Sequence, residues 1–220
     1  MSYTTLQPCF HPQIEMLLFE ICDRVTLAMI IARVEESKRG NWFGPVVAIA
    51  SIPYDENSRE LVGLLKGRKG QLRDSKKLSK SARQKLLPQI QSSIIWRIGY
   101  ATTFEIELDG IYFAWCMACV RAVKKLPVKP DRLIIDGSQT IPYLSIPQTT
   151  LVDGDRRDFC LAASSVIVKE WSDALVERLG KRYPHQLAKH HGYGTELHRQ
   201  ELAQHGLTPQ HRASFCKRYV

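Results

Sequence analysis

Short apolar runs rich in β-branched residues recur along this chain, and several of them run directly into carboxylates. Leu27–Val34 is followed by Glu35 and Glu36, Arg132–Ile135 by Asp136 and Gly137, and Gln148–Val152 by Asp153, Gly154 and Asp155. Runs of this length and composition read as buried strands. Pro45–Ile52 and Ser93–Thr103 add two more. Between them lie segments with helical character: Ala82–Leu87, capped by Ser79 and meeting Pro88; Leu108–Leu126, closed by Pro127; and Phe159–Gly180, with small residues near its start. Glu196–His205 and Thr208–Val220 predict further helix in the tail. Strands interleaved with helices predict an α/β domain, helices packed on a central sheet. The 220 residues suit one catalytic domain, residues 26–220, preceded by an N-terminal extension, residues 1–25.

Acids at strand ends bear on chemistry. Neighbouring side chains of a strand point to opposite faces, so Glu35 and Glu36 serve one site only where the strand curls or ends. Carboxylates gathered together repel one another and need protons or divalent cations to neutralise them. Oxygen-only ligation favours Mg²⁺ or Mn²⁺ over zinc. Taken singly, each acid reads as a strand-end or turn residue rather than as a ligand.

The formal charge of +9 points towards a polyanionic partner, although a basic protein without one has the same composition. Lys66–Lys85 is the most basic region. Of the six cysteines, Cys116, Cys119 and Cys160 sit in apolar helical runs, where they pack as small hydrophobes. Cys116-x-x-Cys119 lacks the second pair or histidines of a zinc site. No secretory signal is evident, and no apolar run reaches the about 18 residues of a membrane span. A cytoplasmic protein with reduced thiols and no membrane partner is expected.

The motifs, taken in order, resemble those of the type 2 ribonuclease H family (ribonuclease HII), in the manner of a divergent member. They are Ile31–Gly40, Phe43–Val47, Asp74–Leu78, Ile135–Gly137, Gly154-Asp155, Leu161–Lys169, His191–Thr195 with His198, and Gly206–Phe215. The resemblance implies a ribonuclease H-like fold with a central mixed five-stranded sheet flanked by helices and a helical C-terminal portion. It implies Glu35, Glu36, Asp136 and Asp155 as catalytic metal ligands for two ions, Mg²⁺ or Mn²⁺. The implied reaction is hydrolysis of the RNA strand of RNA–DNA hybrids, or at ribonucleotides embedded in DNA, leaving 5′-phosphate and 3′-hydroxyl ends. A monomer is expected. The implied substrate contacts are Lys38, Arg39 and Gly40 at the 2′-hydroxyl, Tyr193 on the sugar, and Lys76, Lys77, Lys169 and Arg212 on phosphates. His198 and His211 are expected to support the fold.

Three positions depart from the family's pattern. Its Asp-Glu pair begins with Glu35, and the added methylene moves the carboxylate by about 1.5 Å. Its Gly-Arg-Gly is Lys38-Arg39-Gly40, costly if the first position needs φ > 0. Its lysine before Gly-Tyr-Gly-Thr is His191. These departures motivate a second reading, a weakened relative that binds nucleic acid without efficient cleavage.

Overall fold

The computed structural model describes residues 29–56, 62–63, 65–66 and 78–219. The proposed extension, Cys9, Cys22, Lys76 and Lys77 lie outside the described residues. Five strands form one sheet: β1 (Ile31–Ser37), β2 (Val46–Pro53), β3 (Ile94–Ala101), β4 (Arg132–Asp136) and β5 (Gln148–Leu151), in the order β3-β2-β1-β4-β5. β2 pairs antiparallel with both β1 and β3, whereas β4 runs parallel to β1 and to β5. The sheet is therefore mixed.

Strand alternation divides the core in two. Ala32, Val34, Ala48 and Ala50 face α2 (Thr103–Lys124), packing with Trp115, Cys116, Cys119 and Val123. Val47, Ile49 and Ile98 face the opposite way, towards α1 (Lys80–Ser93) and α4 (Phe159–Gly180), which contribute Ile90, Ala163 and Ile167. Cys116 and Cys119 are free and buried, in keeping with a packing role. Beyond the sheet come α3 (Gly154–Arg157), α5 (Leu187–His190), α6 (Glu196–His205) and α7 (Ala213–Cys216). Among the described residues no helix is long and apolar enough to cross a membrane.

Several boundaries differ from those the sequence predicts. β1 continues to Ser37, so Glu35 and Glu36 lie within the strand rather than beyond it; their backbones pair with Ile49 and Ala48 of β2. α1 does not stop at Pro88 but runs to Ser93, because Ile90 is buried in the core, and that burial outweighs one lost helical hydrogen bond. Ser79 caps it as expected, accepting from the Ala82 N–H. α2 begins earlier, on a Thr102–Glu105 capping box, and kinks at Gly110, whose φ is +83°. The tail beyond Thr208 holds only the short α7.

α2 lies unusually close to β3. A Cβ at Gly99 would sit 2.1 Å from the Ala118 carbonyl oxygen and 2.4 Å from the Ala122 nitrogen, both backbone atoms that cannot rotate away. Gly99→Ala is expected to push α2 off the sheet and cost about 2–4 kcal/mol in urea unfolding, in the range of other overpacking and backbone clashes. An unchanged midpoint would contradict this close approach.

Candidate active site

Parallel pairing of β1 with β4 brings the acids to one end of the sheet, since Val34 pairs with Ile135 and the next residues along are Glu35 and Asp136. Glu35 shares its face with Ser37, whose hydroxyl accepts from Ser172 Oγ on α4 at 2.9 Å. Glu36 shares its face with Val34 and looks towards α2; its carboxylate lies 3.7 Å from the Arg39 guanidinium. Asp136 Oδ1 accepts the Gly154 N–H at 2.8 Å, tying the end of β4 to the turn that carries Asp155. The approach is close: a Cβ on Gly154 would lie 2.5 Å from Leu161 and 2.8 Å from that same carboxylate oxygen, so one of these side chains would have to shift.

Glu35 is the electrostatic centre of the group. Burial raises its pKa well above the ordinary glutamate value, and Asp136, Glu36 and Asp155 all push it the same way. Its side chain meets that of Asp136, so the two carboxyls lie against each other. Among the described residues no three acid, histidine or cysteine side chains already close around an ion. The donors nevertheless fit a hard divalent cation: they are oxygen only, and Glu35 Oε2 is buried with no hydrogen-bond partner. The added methylene of Glu35 leaves its carboxyl within reach of Asp136.

A cleft of about 230 Å³ opens beside this end, lined by Glu35, Glu36, Ser37, Lys38, Arg39, Gly40, Ser165, Val168, Lys169 and Tyr193. Tyr193 is 40% exposed at its rim. Lys169 Nζ stands 5.0 Å from the centre of the Tyr193 ring and donates to Asp173 at 3.0 Å. Arg39 lies over the Trp115 ring and donates to Gln139. A Cβ at Gly40 would meet open space. Lys38 has φ +70°, so the position does require the left-handed region that glycine favours. Its ammonium is not at the surface: it pairs with buried Asp173, and burial lowers its pKa to about 8.

Arg212 requires a correction. The sequence places it on phosphates, yet it is wholly buried. Its guanidinium donates to the carbonyls of Gly44 at 2.9 Å, Arg39 at 2.9 Å and Lys38 at 2.8 Å. Arg212 thus fixes the cleft-lining turn from within, adding donors to its main-chain carbonyls, of which that of Lys38 also accepts the Asn41 N–H. Sequence reasoning also missed Asp173, which looks like a surface partner of Lys169 one helical turn away, and Asn41, which donates to the His191 carbonyl at 2.6 Å.

The histidines form a directed chain. The Thr208 N–H donates to His211 Nδ1 at 2.9 Å, which leaves the His211 proton on Nε2 to meet His198 Nε2 at 3.0 Å. His198 then donates from Nδ1 to the Tyr193 carbonyl at 2.9 Å. Burial lowers the pKa of His198 to about 4 and of His211 to about 3. Their expected supporting role holds, and what they support is the Tyr193 turn.

The architecture matches solved structures. The crystal structure of ribonuclease H2 from Pyrococcus horikoshii OT3 superposes with a TM-score of 0.67 at 21% identity, covering 87% of this chain and 97% of that one. Bst-RNase HIII in complex with Mn²⁺ superposes at 0.54 with 18% identity, over 70% of this chain and 55% of that one. The chain thus has the ribonuclease H-like α/β fold. The Ribonuclease HII family profile matches residues 24–218. Ribonuclease HII of Microcystis aeruginosa is 43% identical over 187 residues, 84% of this chain and 87% of that protein. Its counterpart in Nostoc sp. is 42% identical over 195 residues, 88% and 84% of the two chains. The chain belongs to the ribonuclease HII family, and membership makes it a nuclease that cleaves an RNA strand internally.

Two pH dependences follow, of opposite sign. Above pH 6.5 the two histidines are neutral in folded and unfolded chains alike. Below it the unfolded chain takes up protons that the folded one resists down to about 4 and about 3. Stability should therefore fall from pH 6.5 to 4, by about 1.4 kcal/mol per pH unit for each group. Urea titrations at pH 7 and 5 should show this loss, reduced in His211→Gln; equal losses in both proteins would contradict it. Glu35 acts the other way. Its raised folded pKa destabilises the protein as pH climbs above the unfolded glutamate value. With chelator present, Glu35→Gln should melt higher than the parent at pH 8, with a smaller difference at pH 5.

Proposed function

We propose that this chain hydrolyses the RNA strand of RNA–DNA hybrids, or of DNA with embedded ribonucleotides, with two Mg²⁺ or Mn²⁺ ions. Glu35, Glu36, Asp136 and Asp155 are the ligands, and the products carry 5′-phosphate and 3′-hydroxyl ends. The observation that carries this reading is the Glu35–Asp136 pair: a buried glutamate against a half-buried aspartate, with Glu35 Oε2 left without a partner, beside an open cleft. The Mn²⁺ complex of the related ribonuclease HIII fold supports the choice of ion. Divalent ions held here supply positive charge at a scissile phosphate and activate water for attack on it.

The protein's own groups do the rest. Glu35 and Asp136 would hold an ion between them, which would relieve the repulsion that raises the Glu35 pKa. The Gly154 N–H holds Asp136 in one orientation. Lys169, at the rim, offers a cation to a phosphate, and Arg39 lies beside Glu36 at the same mouth. The exposed edge of Tyr193 offers a flat face for a ribose, and the Lys38–Gly40 backbone turn lines the wall where a 2′-hydroxyl would lie. The basic balance of +9 favours a polyanionic duplex. We also place the enzyme in the cytoplasm, a reading supported by the free thiols of Cys116, Cys119, Cys160 and Cys216.

Two labelled duplexes test this, one with a long hybrid and one with a single embedded ribonucleotide, each with Mg²⁺ and with Mn²⁺. Metal-dependent cutting is expected, reduced by about 10³-fold or more in Asp136→Asn, with 3′-hydroxyl products that a polymerase extends. Cutting that persists in chelator, or in Asp136→Asn, would overturn the assignment.

A further inference from the structure

Lys38 has a conformation and a location that a surface lysine does not take. Its φ is +70°, and only 3% of the residue is exposed. Long cationic side chains ordinarily reach water. This one turns inward, and everything it meets belongs to the Tyr193 turn or to the helix beneath it. Its ammonium lies 4.7 Å from the centre of the Tyr193 ring. It donates to the His191 carbonyl at 3.2 Å, two residues before that tyrosine, and it pairs with Asp173.

Asp173 is 2% exposed on α4, and the same Oδ1 that takes Lys38 also accepts Lys169 at 3.0 Å. Lys169 in turn stands 5.0 Å from the Tyr193 ring centre and within 3.4 Å of its hydroxyl. Two cations tied to one buried carboxylate therefore both bear on a single aromatic ring. The negative charge keeps the two ammoniums together, and the long helix fixes the carboxylate. The ring itself stays 40% exposed towards the cleft.

We propose that Lys38 is a positioning residue that braces Tyr193, acting with Asp173 and Lys169 to set where the ring meets a ribose and so how strictly the site selects a lone ribonucleotide. This deepens the proposed function and rests on it for the identity of the sugar. The brace is made by the Lys38 side chain, whereas its main-chain carbonyl is held separately by Arg212. Side chain and backbone can thus be tested apart. Lys38→Gly adopts the same left-handed conformation freely and deletes only the stem and the ammonium. Lys38→Met keeps most of the stem and deletes the charge.

The experiment uses the full chain and two readouts. Amide hydrogen exchange reports the Tyr193 turn whether or not the protein cleaves anything. A desolvated cation over an aromatic ring corresponds to about tenfold in an equilibrium. Exchange across residues 190–195 should therefore rise about tenfold in both variants, with the interior of α4 unchanged. Steady-state kinetics should show kcat/KM on the single-ribonucleotide duplex falling about tenfold further than on the long hybrid. In a Tyr193→Leu background the Lys38 substitutions should then add little, as expected of a residue that acts through Tyr193. Unchanged exchange at 190–195 would overturn the brace. So would exchange raised evenly across the chain with equal losses on both duplexes, which would leave Lys38 a stabilising residue only. If the parent protein cuts neither duplex, the proposed function fails while the exchange result still decides whether Lys38 holds Tyr193.

Discussion

Two strands running the same way, β1 and β4, deliver their acids to the same end of the sheet, and much of the site depends on that parallel pairing. An antiparallel partner with the same sequence would have carried Asp136 to the opposite edge. Because Val34 pairs with Ile135, Glu35 and Asp136 emerge side by side, and burial of Glu35 leaves it little water to screen the charge. A pair of this kind persists only with a proton or a cation between its members. The apolar core on both faces of the sheet holds the strands in that register against the repulsion. The stability of the core is thus what permits an unfavourable arrangement of charge at its end.

The other wall of the cleft is built from the far end of the chain. Arg212 reaches back to three carbonyls in the turn after β1, and Phe43 forms an isolated bridge with His211. Trp42 stacks on Tyr219 and fills the space above Gly194, where a Cβ would lie 2.2 Å from the indole. His198 and His211 hold the Tyr193 carbonyl through neutral rings whose nitrogens all have partners. Protonating either ring would set two N–H groups facing each other, which is why burial and geometry both keep them neutral. The C-terminal portion is therefore a frame for the Lys38–Gly40 turn and for the Tyr193 turn, more than a surface for the substrate.

How much of this could be read from the sequence depended on whether the signal was local. Strand runs and the Ser79 cap were legible because alternation and capping are local properties, whereas Glu35, Glu36, Asp136 and Asp155 stand out as a set only through the family resemblance. For residue 38 the sequence left open whether the replaced glycine served a positive φ, and the backbone has that conformation. The extent of α1 was not legible, since the burial of Ile90 overrides the local effect of Pro88. Arg212 and Asp173 were missed for the same physical reason. A charged residue is assigned to the surface by default, and only the tertiary arrangement reveals three main-chain carbonyls around one and two lysines around the other.

The left-handed lysine shows how the two walls are related. A non-glycine residue at φ +70° costs about 1–2 kcal/mol. Breaking a buried ion pair costs about 3–5 kcal/mol when a partner is left uncompensated. Asp173 would not be left so, because Lys169 contacts it and Arg83 Nη2 lies 3.9 Å away, so the net stabilisation from Lys38 is smaller than that range. Strain and pairing come close to cancelling, and global stability alone gives little reason for a lysine there. What the side chain adds is local: a cation against the Tyr193 ring and a donor to the His191 carbonyl. One wall of the cleft is thereby held rigid by satisfied charges, while the other keeps an acid pair whose repulsion is relieved only by a proton or a cation.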